Sequence, residues 1–194
     1  MKALRIVSVG IISGALLLGC GGSSAVDSVG DAVTAAASVA TFNDGDVMFA
    51  QMMIPHHEQA IEMSDIALDP SVGSSETVRS LATQIKAAQD PEVAAMTDFL
   101  RSWNKGLTAD ESMDHSDMMT GMLTLDEMSR LSTLRSSAFD RAWIEGMIKH
   151  HEGAIDMAND VLSKGENLAV RTLAKAIIEA QNQEISAMKE LLSK

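Results

Sequence analysis

The residues best suited to chemistry are two pairs of consecutive histidines, each flanked by methionines at helical spacing. His56 and His57 lie between Met53 and Met63. On an α-helix, Met53, His56 and Met63 share one face, whereas His57 projects about 100° away from His56. The same arrangement recurs further along the chain in Met147, His150, His151 and Met157.

A thioether beside an imidazole forms a soft, uncharged set of ligands, which suits copper(I) and silver(I) better than hard ions. The alternative is that the methionines only fill a hydrophobic core and the histidines are hydrogen-bonded interior groups. For one isolated methionine, that alternative is the better interpretation. The repetition of His-His with methionines on the same face instead favours a soft-metal site in each copy.

A second predicted helix follows each histidine pair and carries polar residues on an otherwise apolar stripe. Gln89 and Glu92 share the face of Ile85 and Met96. Buried amides and carboxylates need hydrogen-bond partners, and inward-facing histidines are the natural ones. Glu92 would then fix the tautomer of a metal-binding histidine; a position at the wet rim of the helices is the alternative. The equivalent residues in the second copy are Gln181 and Glu184.

A third cluster of methionines lies in a polar stretch between the two copies, where Gly106, Thr108 and Asp110 indicate a loop. Methionines in a loop have no helical face to fill, and exposed methionines are unfavourable unless they have a function. We therefore predict a further soft-metal site in this loop. Its ligands are Met113, His115, Met118, Met119 and Met122.

Two matching halves must position these residues. The apolar residues of both halves recur at helical spacing, so each half predicts a helical hairpin. Two hairpins bury their apolar stripes most economically as an all-α four-helix bundle. The matching blocks are Asp46-Val47-Met48-Phe49 with Asp140-Arg141-Ala142-Trp143, residues 53–63 with 147–157, and residues 78–96 with 170–188.

Two local features modify this bundle. Thr124 and Glu127 have the spacing of a capping box, which predicts a short extra helix between the repeats. This helix would present Leu125, Met128, Leu131 and Leu134 on one side. Pro55 removes a backbone hydrogen bond inside the first helix, so we expect a kink near Gln51 or a helix that restarts at Pro55.

The N-terminus predicts export and lipidation. An apolar run too short to cross a bilayer ends in Leu17-Leu18-Gly19-Cys20, which resembles a bacterial lipobox. We predict a signal peptide over residues 1–19, lipidation of Cys20 and a flexible tether over 20–43. An ordinary secretory signal with a fortuitous cysteine is the alternative. The folded domain would span 44–194, with repeat one at 46–103, the Met-rich loop and short helix at 104–138, and repeat two at 140–194.

Composition excludes several classes of function. The formal net charge of -12 argues against nucleic acid as a partner, because phosphate binding needs clustered Lys and Arg. The single cysteine rules out a disulfide within the chain. A di-iron oxidase would need Glu-x-x-His pairs, none of which occurs in the sequence. No Ser-His-Asp, Cys-His or phosphate-loop arrangement indicates another enzyme.

The repeated motifs HH-x-x-A-x-x-M and Q-x-x-E-x-x-x-M resemble the family known as domain of unknown function 305. The resemblance covers about residues 44–194 and implies a ferritin-like fold, a bacterial envelope location and, as in some members, copper binding and tolerance. It also adds Met96 and Met188 to the candidate ligands. The loop Met-Asp-His-Ser-Asp-Met, residues 113–118, is similar to the Met-rich repeats of periplasmic copper-resistance proteins.

These patterns predict a lipid-anchored envelope protein, not an enzyme, that sequesters or transfers copper(I) or silver(I). A metal-free structural or interaction lipoprotein is the alternative, and a ferritin-like di-iron oxidase is a weaker one. A copper transporter or another copper-handling protein would be the delivery partner, and self-association stays open. Thioether binding should survive mild acid, whereas imidazole binding should weaken below a pKa of about 6.5.

Overall fold

The computed structural model describes residues 41–109 and 120–193, and these residues form helices joined by turns, without a strand. No helix among them is long and apolar enough to span a membrane. The prediction of an all-α fold is therefore confirmed. The five helices are α1 (Asp44–Leu68), α2 (Glu76–Ser102), α3 (Leu125–Thr133), α4 (Ser136–Lys164) and α5 (Leu168–Leu192).

Four long helices form the predicted bundle. Helix α1 packs along α2 and α4 packs along α5, so each sequence repeat is one helical hairpin. The two hairpins meet mainly through α1 and α4, whereas α2 and α5 have little contact. Helices α1 and α4 are thus the central pair, and both carry a His-His motif.

Equivalent aspartates tie each hairpin to the other. The carboxylate of Asp46, near the start of α1, accepts hydrogen bonds from the backbone amides of Glu166 and Asn167 in the α4–α5 turn. In the same way, Asp140 near the start of α4 accepts from the amide of Ser75 in the α1–α2 turn. Exposed amides before a helix are good partners for a carboxylate. These reciprocal contacts relate the two hairpins by a pseudo-twofold axis.

Two details differ from the sequence prediction. Helix α1 continues through Pro55 instead of restarting there. Burial of Met52 and Ile54 around the proline offsets the lost hydrogen bond. Helix α3 begins with the predicted capping box, but Leu125 is 89% exposed. The buried residues of that short helix are Met128 and Leu131, which lie after its first turn.

The core consists of two apolar clusters along the bundle. One contains Met63, Met147 and Met188, and the other contains Met53 and Met96. Along every long helix, the polar residues of the repeat motifs fall between positions belonging to the two clusters. They form a polar layer across the bundle, which we define as His56, His57, Gln89, Glu92, His150, His151, Gln181 and Glu184.

Candidate metal centre

All four histidines of the polar layer are buried, with side chains that are 0% exposed. Neighbouring histidines on one helix point in different directions, so each pair has an inner and an outer member. The inner members, His56 and His150, meet at the interface of α1 and α4. The outer members, His57 and His151, point toward α2 and α5 respectively.

Each outer histidine is held by a carboxylate from the other helix of its own hairpin. Nε2 of His57 lies 2.8 Å from Oε2 of Glu92, and Nε2 of His151 lies 2.6 Å from Oε2 of Glu184. A carboxylate accepts a proton donor, so Nε2 carries the hydrogen and a neutral ring has its lone pair on Nδ1. The glutamate side chains are 17% and 19% exposed, which leaves one edge of each pair near solvent.

The inner histidines contact each other across the pseudo-twofold axis. Their ring centroids are 3.8 Å apart, with an angle of 44° between the ring planes. Nε2 of His56 donates to the carbonyl oxygen of Thr120, at 3.2 Å, because a carbonyl can only accept. This contact again leaves Nδ1 of the neutral ring with the lone pair.

Burial keeps the inner histidines neutral. Loss of solvation, reinforced by the neighbouring His57, lowers the pKa of His56 from 6.5 to about 3. The pKa of His150 is also lowered well below 6.5, first by burial and then by His56 and the other histidines of the layer. The expectation that all imidazole binding weakens below a pKa of about 6.5 is therefore wrong for these two rings. Helical spacing predicts the direction in which a side chain points, but not how deeply it is buried, and the depth of burial determines these pKa shifts.

The polar layer contains many atoms without a partner among the described residues. Nδ1 of all four histidines makes no hydrogen bond there. The side-chain amides of Gln89 and Gln181, which are 2% and 3% exposed, make none either. The expected hydrogen bonds from these glutamines to histidines are thus absent within the described layer, because the carboxylates one turn away take the Nε2 atoms. Unpaired lone pairs in a dry interior are unfavourable unless something binds them.

The donor set is suited to a soft ion. Within residues 41–109 and 120–193, no three His, Cys, Asp or Glu side chains are placed to share one metal ion. The methionines predicted as ligands lie in the apolar clusters next to the histidines, and all but the half-buried Met157 are fully buried.

The segment that returns from the loop to α3 crosses α4 next to the inner histidines. Gln59 clamps this segment by donating to the carbonyl of Leu123 and accepting from its amide, at 2.9 and 2.7 Å. Its equivalent in the second repeat is Gly153, where a Cβ would overlap the carbonyl oxygen of Thr120. The sequence analysis missed this crossing. The sequence signal for this crossing was the glycine that stands in the second copy at the position of Gln59, because it leaves room for another segment of the chain.

Most of the predicted loop site lies outside the described residues. Met122 is described and half-buried, close to the Thr120 carbonyl that contacts His56. The lipidation site, Cys20, also lies outside the described residues, as do Met113, His115, Met118 and Met119.

Comparison with known proteins places the chain in a family. A model of a domain of unknown function, DUF305, matches residues 46–192. The chain belongs to the DUF305 family. No curated protein matches this DUF305 chain. Its sequence resemblance is therefore confirmed over both hairpins and the segment between them.

Solved DUF305 structures share the fold. A fragment from Deinococcus radiodurans is 34% identical, with a TM-score of 0.69, and the match covers 79% of this chain and 97% of that one. A Streptomyces coelicolor protein described as secreted is 32% identical, with a TM-score of 0.68 and coverage of 77% and 91%. CopM in its Cu(I)-bound form is 30% identical, with a TM-score of 0.62 and coverage of 76% and 95%. CopM has also been solved in Ag-bound, Cu(II)-bound and apo forms. These similarities support a copper-related role for the bundle.

Proposed function

We propose that this DUF305 protein binds copper(I) or silver(I) in the polar layer of its bundle and sequesters or transfers the ion in the cell envelope. The observation that carries the proposal is the set of four buried histidines whose Nδ1 atoms have no partner among the described residues. Neutral imidazole nitrogens in an apolar surrounding are good ligands for soft monovalent ions. Binding would also remove the cost of burying those lone pairs.

The hydrogen bonds of the layer support Nδ1 as the donor atom. Glu92 and Glu184 engage Nε2 of the outer histidines, and Thr120 engages Nε2 of His56. A partner on one ring nitrogen fixes the tautomer and raises the basicity of the other, which is the usual role of groups behind a metal ligand. The two glutamates are therefore proposed as positioning groups.

The ring spacing supports one ion within each consecutive pair. Ring centroids are 6.5 Å apart for His56 and His57, and 6.4 Å apart for His150 and His151. Copper(I) accepts two ligands in a line, and two metal–nitrogen bonds of about 2 Å place the ring centroids roughly 6 Å apart. Small movements of the rings would thus complete either pair.

The spacing disfavours an ion between the two repeats. The centroids of His56 and His150 are only 3.8 Å apart. An ion bridging their nitrogens would need to separate the rings by roughly 2 Å, against the close packing of α1 and α4. Thioethers adjacent to each pair, those of Met53, Met63, Met96, Met147, Met157 and Met188, are proposed as additional ligands that become available as the ring positions adjust.

A copper(I) titration of the purified protein tests this proposal. The full chain would compete with a chromophoric copper(I) chelator under reducing conditions. The variant His56→Leu/His150→Leu should no longer bind copper(I) tightly in the bundle, because each pair loses one of its two ligands. The matched control is Ile54→Leu/Ile148→Leu, which changes equivalent buried positions of the same two helices outside the polar layer. If the double variant competes as well as the wild type, the bundle site is wrong.

The envelope location is proposed from the lipobox. Cys20 would carry the lipid and tether the bundle to a membrane, where the protein would contribute to copper tolerance and meet a copper transporter or another copper-handling protein. Replacing Cys20 with Ser should release the mature protein into the soluble fraction. A Ser variant that still sediments with membranes after signal cleavage would contradict lipid anchoring.

A further inference from the structure

A cleft on the surface of α1 and α4 gathers three methionines, two of which, Met48 and Met52, are not among the ligands proposed for the histidine site. Its volume is ≈ 410 Å³, and Met48, Met52 and Met157 line it. Met48 and Met157 are half-buried, so their side chains reach solvent. Met52 is 4% exposed and lies deeper. Two carboxylates, those of Asp156 and Asp160, and one ammonium group, that of Lys164, also line the cleft.

The internal repeat shows that the fold does not require these methionines. The positions equivalent to Met48 and Met52 are Ala142 and Gly146 in the second copy. Both line a second cleft of ≈ 350 Å³ on α4. There the side chain of Leu123 approaches to 3.5 Å from the position of a Gly146 Cβ. Equivalent positions of the fold therefore carry small residues in the second repeat and long thioether side chains in the first.

The third methionine follows the same asymmetry. Met157 is half-buried in the cleft. Its equivalent, Met63, is 0% exposed and lies inside an apolar cluster. Two half-buried methionines and the deeper Met52 thus line a cleft on one side of the pseudo-twofold axis. On the other side, the described equivalents are an alanine, a glycine and a fully buried methionine.

We infer that the cleft is a separate site for a soft monovalent cation, copper(I) or silver(I), held by the thioether sulfurs of Met48, Met52 and Met157. Thioethers are neutral and polarisable, so they favour soft ions over calcium, magnesium or zinc. The carboxylates of Asp156 and Asp160 favour a cation electrostatically, and Lys164 offsets only part of that charge. Met48 and Met52 belong to this cleft alone, whereas Met157 is also among the additional thioethers named in the proposed function.

The cleft lies beside the inner histidines, which indicates a role in entry. Thr120 lines the cleft, and its carbonyl accepts the hydrogen bond from Nε2 of His56. A cation bound in the cleft would therefore be separated from the inner histidine by one residue of the crossing segment. The cleft would receive the ion at the surface, and the histidine pairs would hold it in the interior.

Methyl NMR of the full chain, labelled with ¹³C at the methionine methyl groups, tests the inference with silver(I) as the probe. The methyl signals of Met48, Met52 and Met157, assigned through single Met→Leu variants, should shift during the titration. Met128, in α3, is buried and lies outside the cleft, so its signal should not move. The triple Met→Leu variant, which keeps apolar volume, should lose one equivalent of silver(I).

The outcomes separate this inference from the proposed function. Shifts of the three cleft methyls that persist in His56→Leu/His150→Leu establish the cleft as an independent site. If those methyls stay unshifted up to saturation while that double variant loses silver(I), the cleft inference is wrong and the bundle proposal stands. If the wild type binds no silver(I) at all, both are wrong. The methyl measurement on the wild type decides the matter even if the triple variant fails to fold.

Discussion

The burial of the inner histidines predicts a specific loss of stability in mild acid. Unfolded, His56 and His150 titrate near their ordinary pKa of about 6.5. Folded, the pKa of His56 is about 3 and that of His150 is also lowered, first by burial in both cases. In mild acid, the unfolded chain therefore binds protons at these two histidines, whereas the folded chain does not. Stability should fall as the pH drops below about 6.5 and continue to fall toward about 3 for His56.

The magnitude follows from the pKa difference. Between about pH 6.5 and pH 5, one histidine that stays neutral only in the folded state lowers the free energy of unfolding by about 2 kcal/mol. The pKa of His150 is lowered in the same sense, first by burial, so this ring adds to the loss. The two histidines together therefore lower the stability by more than about 2 kcal/mol, a substantial part of the 5–15 kcal/mol typical of a domain.

Urea unfolding of the metal-free protein at about pH 7.5 and about pH 5, followed by circular dichroism, measures this loss. His56→Leu/His150→Leu removes the two buried bases, so the variant should lose at least about 2 kcal/mol less than the wild type over the same interval. Comparing the two differences cancels the contributions of groups that both proteins share. Equal pH dependence in wild type and variant would refute the reasoning, because the rings would then be protonated in the fold.

Three further predictions test the surroundings of the site. Glu92→Gln/Glu184→Gln should lower copper(I) affinity by roughly 10–100-fold in chelator competition, with the number of bound equivalents unchanged; unchanged affinity would contradict the positioning role. Gly153→Ala should lower the melting temperature because its Cβ would overlap the Thr120 carbonyl, whereas Gly146→Ala in the same helix should not, since its Cβ meets only contacts of 3.4 Å or more. Changing the loop methionines to Leu should reduce metal capacity while the melting temperature stays within experimental error; the residues changed are Met113, Met118, Met119 and Met122.

The fold and the outer part of the site could be predicted because they depend on local periodicity. The repeat implies two equivalent hairpins, and helical spacing places Glu92 and Glu184 on the faces that meet His57 and His151. The structure shows these pairs at hydrogen-bond distance. Each pair lies within one hairpin, so its geometry follows from two adjacent helices and a short turn.

The inner part of the site depends on long-range packing and could not be predicted in the same way. To predict the contact between His56 and His150, one must know where the pseudo-twofold axis passes. The periodicity of a single helix does not give that position. The bond from His56 to Thr120 joins residues from different elements, and Thr120 lies in a segment without a repeat partner. The depressed pKa of His56 follows first from the depth at which α1 and α4 bury the ring and then from His57, whereas the bond to Thr120 raises it.

The crossing segment also makes the two histidine pairs inequivalent. The repeat alone would predict two identical sites, each with an inner and an outer ring. In the structure, Nε2 of His56 is fixed by Thr120, whereas neither nitrogen of His150 meets the geometry of a hydrogen bond within the described chain. The His56 ring therefore has a defined tautomer, whereas no hydrogen bond of that geometry among the described residues fixes the tautomer of His150. Because preorganised ligands lose less freedom on binding, the proposed site at His56 and His57 should bind its ion more tightly than the proposed site at His150 and His151.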